Sequence, residues 1–263
     1  MDKSISFIVI GDVHGREFWK EAIPYKDIPI VFVGDYLDPY TSIENISSQQ
    51  AIDNFKDIMK FAKDNRNVTL LYGNHDSYAF DSTTLCSCRH DWMRYDEIKK
   101  LYSDNYDLFT MSADFTVGDD KFIITHAGIN PLWLGYCGKK LYGEGYKLDS
   151  KTINKPMQDS FPYNGKNGFE FLCMIGAYRG GLDSCGSFLW SDISEHISMA
   201  SESQDIIPDG IVQIFGHSWI REAIRINGSY DLACIDCKRI VYVDNSGVIR
   251  YLDNDQEIKN VKL

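Results

Sequence analysis

Residues 6–15, SFIVIGDVHG, decide the fold class. Ser6 to Ile10 is a short run dominated by apolar and β-branched side chains with no polar face, which reads as a strand buried on both sides. At Gly11 the run stops, and an acid and an imidazole, Asp12 and His14, follow at once in a turn. Glu17 to Ala22 reads as the helix after it. Ile28 to Val33 repeats the pattern and again ends in Gly-Asp, at Gly34-Asp35. Between residues 46 and 64, Ala51, Ile52, Phe55, Ile58, Met59 and Ala62 keep close to the 3.6-residue period of an amphipathic helix. Asn67 to Tyr72 is a third strand, with Gly73 directly behind it. Strand, helix, strand, helix, strand is the rhythm of a parallel α/β unit, in which reactive groups collect at the carboxyl ends of the strands.

Further along, Asp114 to Val117 and Phe122 to Thr125 read as a hairpin around Gly118-Asp119-Asp120, and Ile211 to Phe215 as another apolar strand. The last fifty residues read as short strands with turns at Asn227-Gly228 and Asn245-Ser246-Gly247. Residues 130–187 are rich in Gly, Tyr and Lys and lack a clean period. The expectation is one domain over residues 1–263, with 130–187 an insertion over the site.

With 263 residues, 44% of them apolar, the chain can bury a substantial core. A net charge of −11 argues against nonspecific binding to a nucleic-acid backbone. No stretch approaches the roughly 20 apolar residues of a membrane span, and the start has no signal-peptide pattern, so a soluble, cytoplasmic protein without a membrane partner is expected. Seven cysteines, an odd number, suit reduced thiols. Cys86-Ser87-Cys88 and Cys234-Ile235-Asp236-Cys237 each lack the second pair a zinc site needs, and both read as ordinary thiols.

Five strand ends carry polar signatures: Gly11-Asp12-Val13-His14-Gly15, Gly34-Asp35-Tyr36-Leu37-Asp38, Gly73-Asn74-His75-Asp76, Thr125-His126-Ala127-Gly128 and Gly216-His217-Ser218. Four of the six histidines fall in them. Any one stretch could be turn punctuation, since Asp, Asn and Gly favour turns. Together they supply oxygen and imidazole donors and no thiolate, a set suited to divalent manganese, iron or zinc.

In order and spacing these motifs resemble the calcineurin-like metallophosphoesterases, and most nearly their phosphoprotein phosphatase branch of Ser/Thr phosphatases and bis(5'-nucleosyl)-tetraphosphatases. The resemblance implies a four-layer α/β sandwich of two mixed sheets flanked by helices. It also implies two divalent ions, Mn, Fe or Zn, with Asp12 and His14 on one, Asp35 bridging, and Asn74, His126 and His217 on the other. A hydroxide between such ions would attack a phosphoester. His75 would protonate the leaving oxygen while Asp38 orients its ring and raises its pKa. Asp76 is expected to make a local turn or a supporting hydrogen bond.

The chain departs from the pattern after Asp38. Protein phosphatases usually carry an arginine there that clamps phosphate, and this chain has Pro39 and then Tyr40. Arg16 and Arg179, together with Asn74, are the candidate phosphate contacts in its place. Ser187-Phe188-Leu189-Trp190-Ser191-Asp192 resembles a protein-phosphatase segment in which the arginine follows the tryptophan. Arg221 and Arg225 read as structural or rim charges, and His90 and His196 are assigned no role. Tyr36, Tyr40, Tyr78, Tyr178, Phe188 and Trp190 flank the motifs and either stack on a substrate or pack loops onto the sheet edge. The expected activity is phosphomonoester hydrolysis, with phospho-Ser/Thr in proteins foremost. A dinucleoside polyphosphate or nucleotide substrate is the alternative, and an inactive metal-binding scaffold that recognises a phosphorylated partner is the third reading.

Overall fold

The structure, a computed structural model, describes residues 4–80, 89–158, 169–201 and 206–263. Strand β1 (Ile5–Ile10) leads through a 3-10 segment, Phe18–Tyr25, to β2 (Ile30–Phe32), the short helix α1 (Thr41–Glu44) and α2 (Ser48–Asp64). β3 (Val68–Leu71), α3 (Tyr95–Ser103) and β4 (Phe109–Thr110) follow, then the hairpin β5 (Ala113–Val117) and β6 (Asp120–Ile124). After α4 (Pro131–Tyr142), α5 (Ser150–Gln158), α6 (Phe169–Leu172) and α7 (Ile193–Ala200) come β7 (Ile211–Phe215), β8 (Ile224–Asn227), β9 (Asp231–Cys234), β10 (Ile240–Asp244), β11 (Ile249–Tyr251) and β12 (Lys259–Lys262).

The strands form two mixed six-stranded sheets flanked by helices, ordered β11-β10-β1-β2-β3-β4 and β12-β8-β9-β7-β6-β5. The expected parallel unit is present: β1, β2, β3 and β4 run parallel, while β10 and β11 add antiparallel neighbours. In the second sheet β6, β7 and β9 are parallel.

Strand alternation explains why the sheets stack. Phe7, Val9, Val31, Val33 and Leu71 join Phe122, Ile124, Val212, Ile214, Ala233 and Ile235 in one buried cluster between the sheets. The intervening Ile8, Ile10, Ile30, Phe32 and Leu70 pack with Ala51, Ile52, Phe55, Ile58 and Met59 of α2. That helix starts where Ser47 and Gln50 form a reciprocal cap: the Gln50 amide donates to Ser47 Oγ at 3.2 Å and the Ser47 amide to Gln50 Oε1 at 2.8 Å.

The helix expected over Glu17–Ala22 is instead the tighter 3-10 segment, with Pro24 inside it. Proline has no amide hydrogen to continue an α-helical ladder. Within 130–187, where no period was readable, α4, α5 and α6 form. The Asn130 side chain accepts from the Leu132 amide, and Pro131 opens α4. Cys137, Cys173, Cys185, Cys234 and Cys237 are free thiols, and the Cys86/Cys88 pair lies outside the described residues. No helix among the described residues is long and apolar enough to cross a membrane.

Candidate active site

The carboxyl ends of β1, β2 and β3 meet those of β6 and β7, bringing the five polar strand ends to one place. Each turn is bent hard. His14, Asp35, Asp38 and His217 all have left-handed backbone, with φ of 45°, 55°, 56° and 62°. Such non-glycine conformations cost about 1–3 kcal/mol each, and that they cluster here marks the place where side-chain direction was selected over backbone comfort. Two glycines make room: a Cβ at Gly73 would lie 2.8 Å from His126 Cε1 and closer still to Asp35, and one at Gly216 would strike Asp12 and, at 2.7 Å, Val33.

Asp12, His14, Asp35, Asn74, His126 and His217 are all buried. His14 Nδ1 donates to the Leu37 carbonyl and His126 Nδ1 to the Val33 carbonyl, each at 2.9 Å. A carbonyl can only accept, so each ring keeps its lone pair on Nε2. Both Nε2 atoms face the same oxygen, Asp35 Oδ2, at 3.6 Å. Asn74 Oδ1 lies 2.8 Å from both His126 Nε2 and His217 Nδ1, which are 3.2 Å from each other. Two groups of candidate donor atoms, His14/Asp35/His75 and Asp35/His126/His217, share Asp35, with the atoms of each group within 4.8 Å of one another. Asp12 belongs to neither; its carboxylate accepts the His217 amide at 2.9 and 3.1 Å.

Lone pairs aimed at a carboxylate and at an amide oxygen repel unless a cation lies among them. The donor set therefore fits divalent metal: oxygen and neutral imidazole, with neighbouring atoms about 3 Å apart, as bonds of about 2.1 Å require. The electrostatics agree. Burial, then the Asp236 charge, holds the Asp12 carboxyl well above its ordinary range; burial, then Asp12 and Asp76, does the same to Asp35. Burial pushes His14 and His217 well down and His126 to about 3, so all three are neutral imidazoles.

Asp76 ties the turns together. Its Oδ2 accepts the Asp35 and Gly73 amides at 2.8 and 2.7 Å, and its Oδ1 accepts the Tyr36 amide at 3.2 Å and the Tyr102 hydroxyl at 2.6 Å. The supporting role expected of it is thus a brace between two motifs.

His75 Nδ1 meets Asp38 Oδ2 at 2.9 Å, and the Tyr78 hydroxyl donates to Asp38 Oδ1 at 2.8 Å. The expected rise of the imidazole pKa does not occur. Burial, followed by the charges of Arg89, His90 and Arg179, lowers His75 to about 3, while burial raises Asp38 to about 7. Desolvation penalises both charged forms more than their pairing returns.

Of the arginines read from sequence, Arg16 donates to Glu44 Oε2 at 2.7 Å and to the Asp12 carbonyl at 3.4 Å. Arg179 pairs with Asp192 at 2.8 Å and donates to the His217 carbonyl and Ser218 Oγ. A third arginine escaped sequence reading. Arg89 donates to the Asp38 carbonyl at 2.8 Å and stacks 3.8 Å over the Tyr40 ring, beside the place where Pro39 stands for the usual arginine. No local pattern marks it, since its partners lie about fifty residues upstream. Tyr36, Tyr78, Phe188 and Trp190 are buried and pack the loops, whereas Tyr178 is exposed and Tyr40 half-buried. Arg225 pairs with Asp231. His90 meets Ser77 Oγ at 2.7 Å, and His196 contacts the Ala127 carbonyl at 2.9 Å, bracing the loop that carries His126.

The family model described as calcineurin-like phosphoesterase matches residues 5–218, a span that takes in all five polar strand ends. A comparison with curated proteins finds no significant match.

Proposed function

The chain belongs to the calcineurin-like phosphoesterase family, and from that premise we propose that it hydrolyses phosphomonoesters in the manner of the phosphoprotein phosphatase branch, with phospho-Ser/Thr peptides as the leading substrates. The observation that carries the reading is Asp35 Oδ2 standing between two inward-facing imidazole nitrogens at 3.6 Å. Asp12, His14, Asp35, Asn74, His126 and His217 would hold two divalent ions of the manganese, iron or zinc type, which when bound lower the pKa of water and draw charge from the phosphate oxygens.

The chain's own groups do the rest. With the Asp38 carboxyl raised to about 7, its Oδ2 can give a hydrogen to His75 Nδ1. The ring's own hydrogen then resides on Nε2, the nitrogen Asp38 does not engage, and can pass to the leaving oxygen while the Asp38 hydrogen moves to Nδ1, leaving a neutral ring and an Asp38 carboxylate. Arg16, Arg179 and Arg89 surround this centre and supply the cationic side lost at Pro39, with Asn74 as a further contact.

The test is turnover of p-nitrophenyl phosphate by metal-stripped and manganese-loaded protein. Metal-dependent turnover is expected; bound metal without turnover would leave only the inactive phospho-recognition scaffold. A nucleotide substrate is favoured instead if diadenosine tetraphosphate is cleaved faster than a phosphopeptide under the same conditions.

A further inference from the structure

Beside the metal centre lies a cavity of about 320 Å³, walled by His14, Arg16, Tyr40, Ile43, Glu44, Trp219, Asp236 and Lys238. Its volume falls at the lower end for small-molecule pockets, roughly 300–1,000 Å³. Four chain segments build it: the turn after β1, the turn and short helix after β2, the loop after His217, and the loop between β9 and β10.

Two features of the wall define what it suits. First, its largest apolar side chains are open to solvent, Trp219 at 67% and Ile43 at 79% exposure. Scattered exposed apolar residues are ordinary, but two that rim one cavity together mark a contact surface. Second, the charged groups on the wall offset one another, Arg16 and Lys238 standing with Glu44 and Asp236. Glu44 accepts from Arg16 at 2.7 Å through one oxygen and from Lys238 through the other. The wall therefore presents an indole and an isoleucine around a paired set of charges, favourable to a flat, uncharged ring. The Asp236 carbonyl accepts the Ile220 amide at 2.9 Å, and its carboxyl group, on the cavity wall, offers an acceptor to a ring amine or a hydroxyl.

The cavity opens directly onto the chemistry. His14 lines it and also stands edge-on to His75, with ring centroids 5.0 Å apart, and to Tyr40 at 5.2 Å. A group attached to the oxygen that His75 protonates thus lies one ring away from the cavity mouth.

We propose that this cavity binds an aromatic ring on the alcohol side of the phosphoester, stacked on Trp219, so that the enzyme prefers esters whose leaving group carries such a ring. This inference rests on the phosphohydrolase reading above. It makes Trp219 and Ile43 residues of specificity and shifts preference within that reading from aliphatic phospho-Ser/Thr towards ring-bearing esters.

The test uses substrate pairs with alike leaving alcohols: adenosine 5'-monophosphate against ribose 5-phosphate, and benzyl phosphate against ethyl phosphate. For the manganese-loaded protein, kcat/KM is expected to be about tenfold or more higher for the ring-bearing member of at least one pair, the size of one base–aromatic stack. In Trp219→Ala that ratio should fall towards one through KM. Preference in the first pair identifies a nucleobase, and in the second alone a phenyl-type ring. Equal kcat/KM in both pairs, or a preference that survives Trp219→Ala, overturns the proposal. Should nothing be turned over, the hydrolase reading fails separately. The cavity is then judged by calorimetric binding of the same pairs, where tighter binding of a ring-bearing ligand, lost in Trp219→Ala, supports it and indifference refutes it.

Discussion

At the scale of single residues, Asp35 and His75 make opposite predictions. Asp35 Oδ2 faces two imidazole nitrogens while its Oδ1 accepts the His75 amide. Asp35→Asn removes the negative charge that both neighbouring ligand groups share, so metal content by elemental analysis should collapse along with activity. His75→Asn should keep its metal and lose about 10²–10⁴-fold in kcat, the usual size of a general acid's contribution. Because His75 also lies within one candidate donor group, retained metal is the discriminating readout; loss of one equivalent would recast His75 as a ligand. Arg89 is the residue-scale surprise. Its guanidinium stands where the Asp38-Pro39-Tyr40 turn lacks one, and Arg89→Ala should weaken inhibition by inorganic phosphate about tenfold or more, as loss of a charge-assisted contact would. An unchanged inhibition constant would leave Arg89 as a clamp on Tyr40 and nothing more.

At the scale of elements, the site depends on backbones that pass without side chains between them. The Cβ that Gly216→Ala adds would press on Asp12 and Val33. Since Asp12 accepts the His217 amide, the substitution should lower metal affinity at least tenfold while far-ultraviolet circular dichroism stays native. The helix α2 has a different dependence. Its reciprocal Ser47/Gln50 cap satisfies backbone donors at the first turn, so Ser47→Ala should cost about 1 kcal/mol in chemical denaturation and leave metal affinity unchanged. The positions of β1, β2, β3, β5, β6, β7 and α2 follow from local pattern because apolar periodicity and terminal glycines are local signals. The helices α4, α5 and α6 lack such a signal: α4 carries Gly135 and Gly138 among its apolar residues, and Pro156 lies within α5. Such residues blur the period that reveals a helix.

At the scale of the whole molecule, two sheets stacked over one apolar layer set the five polar strand ends together, and buried groups behind them keep the loops in place. His196 is fully buried, contacting the Ala127 carbonyl and the Tyr230 hydroxyl, and burial lowers its pKa to about 4. An unfolded histidine titrates near 6.5, so the unfolded chain binds this proton first. The stabilisation is therefore full above about pH 6.5 and lost as pH falls towards 4, at most about 3 kcal/mol. In His196→Gln the denaturation midpoint should fall less steeply over that interval than in the parent; identical slopes would show that His196 takes no part. Legible in the sequence by itself were the strand–helix rhythm through β3, the candidate donor residues at the strand ends and the break at Pro39, because each is written in contiguous residues whose alternation and chemistry need no partner. Only the tertiary structure decided that Asp76 braces two motifs, that Arg89 stands beside Pro39, that burial outweighs pairing at His75, and that Trp219 and Ile43 wall one cavity. Each of these depends on loops far apart in the chain being held within a few ångströms by the packed sheets, a distance no local pattern encodes.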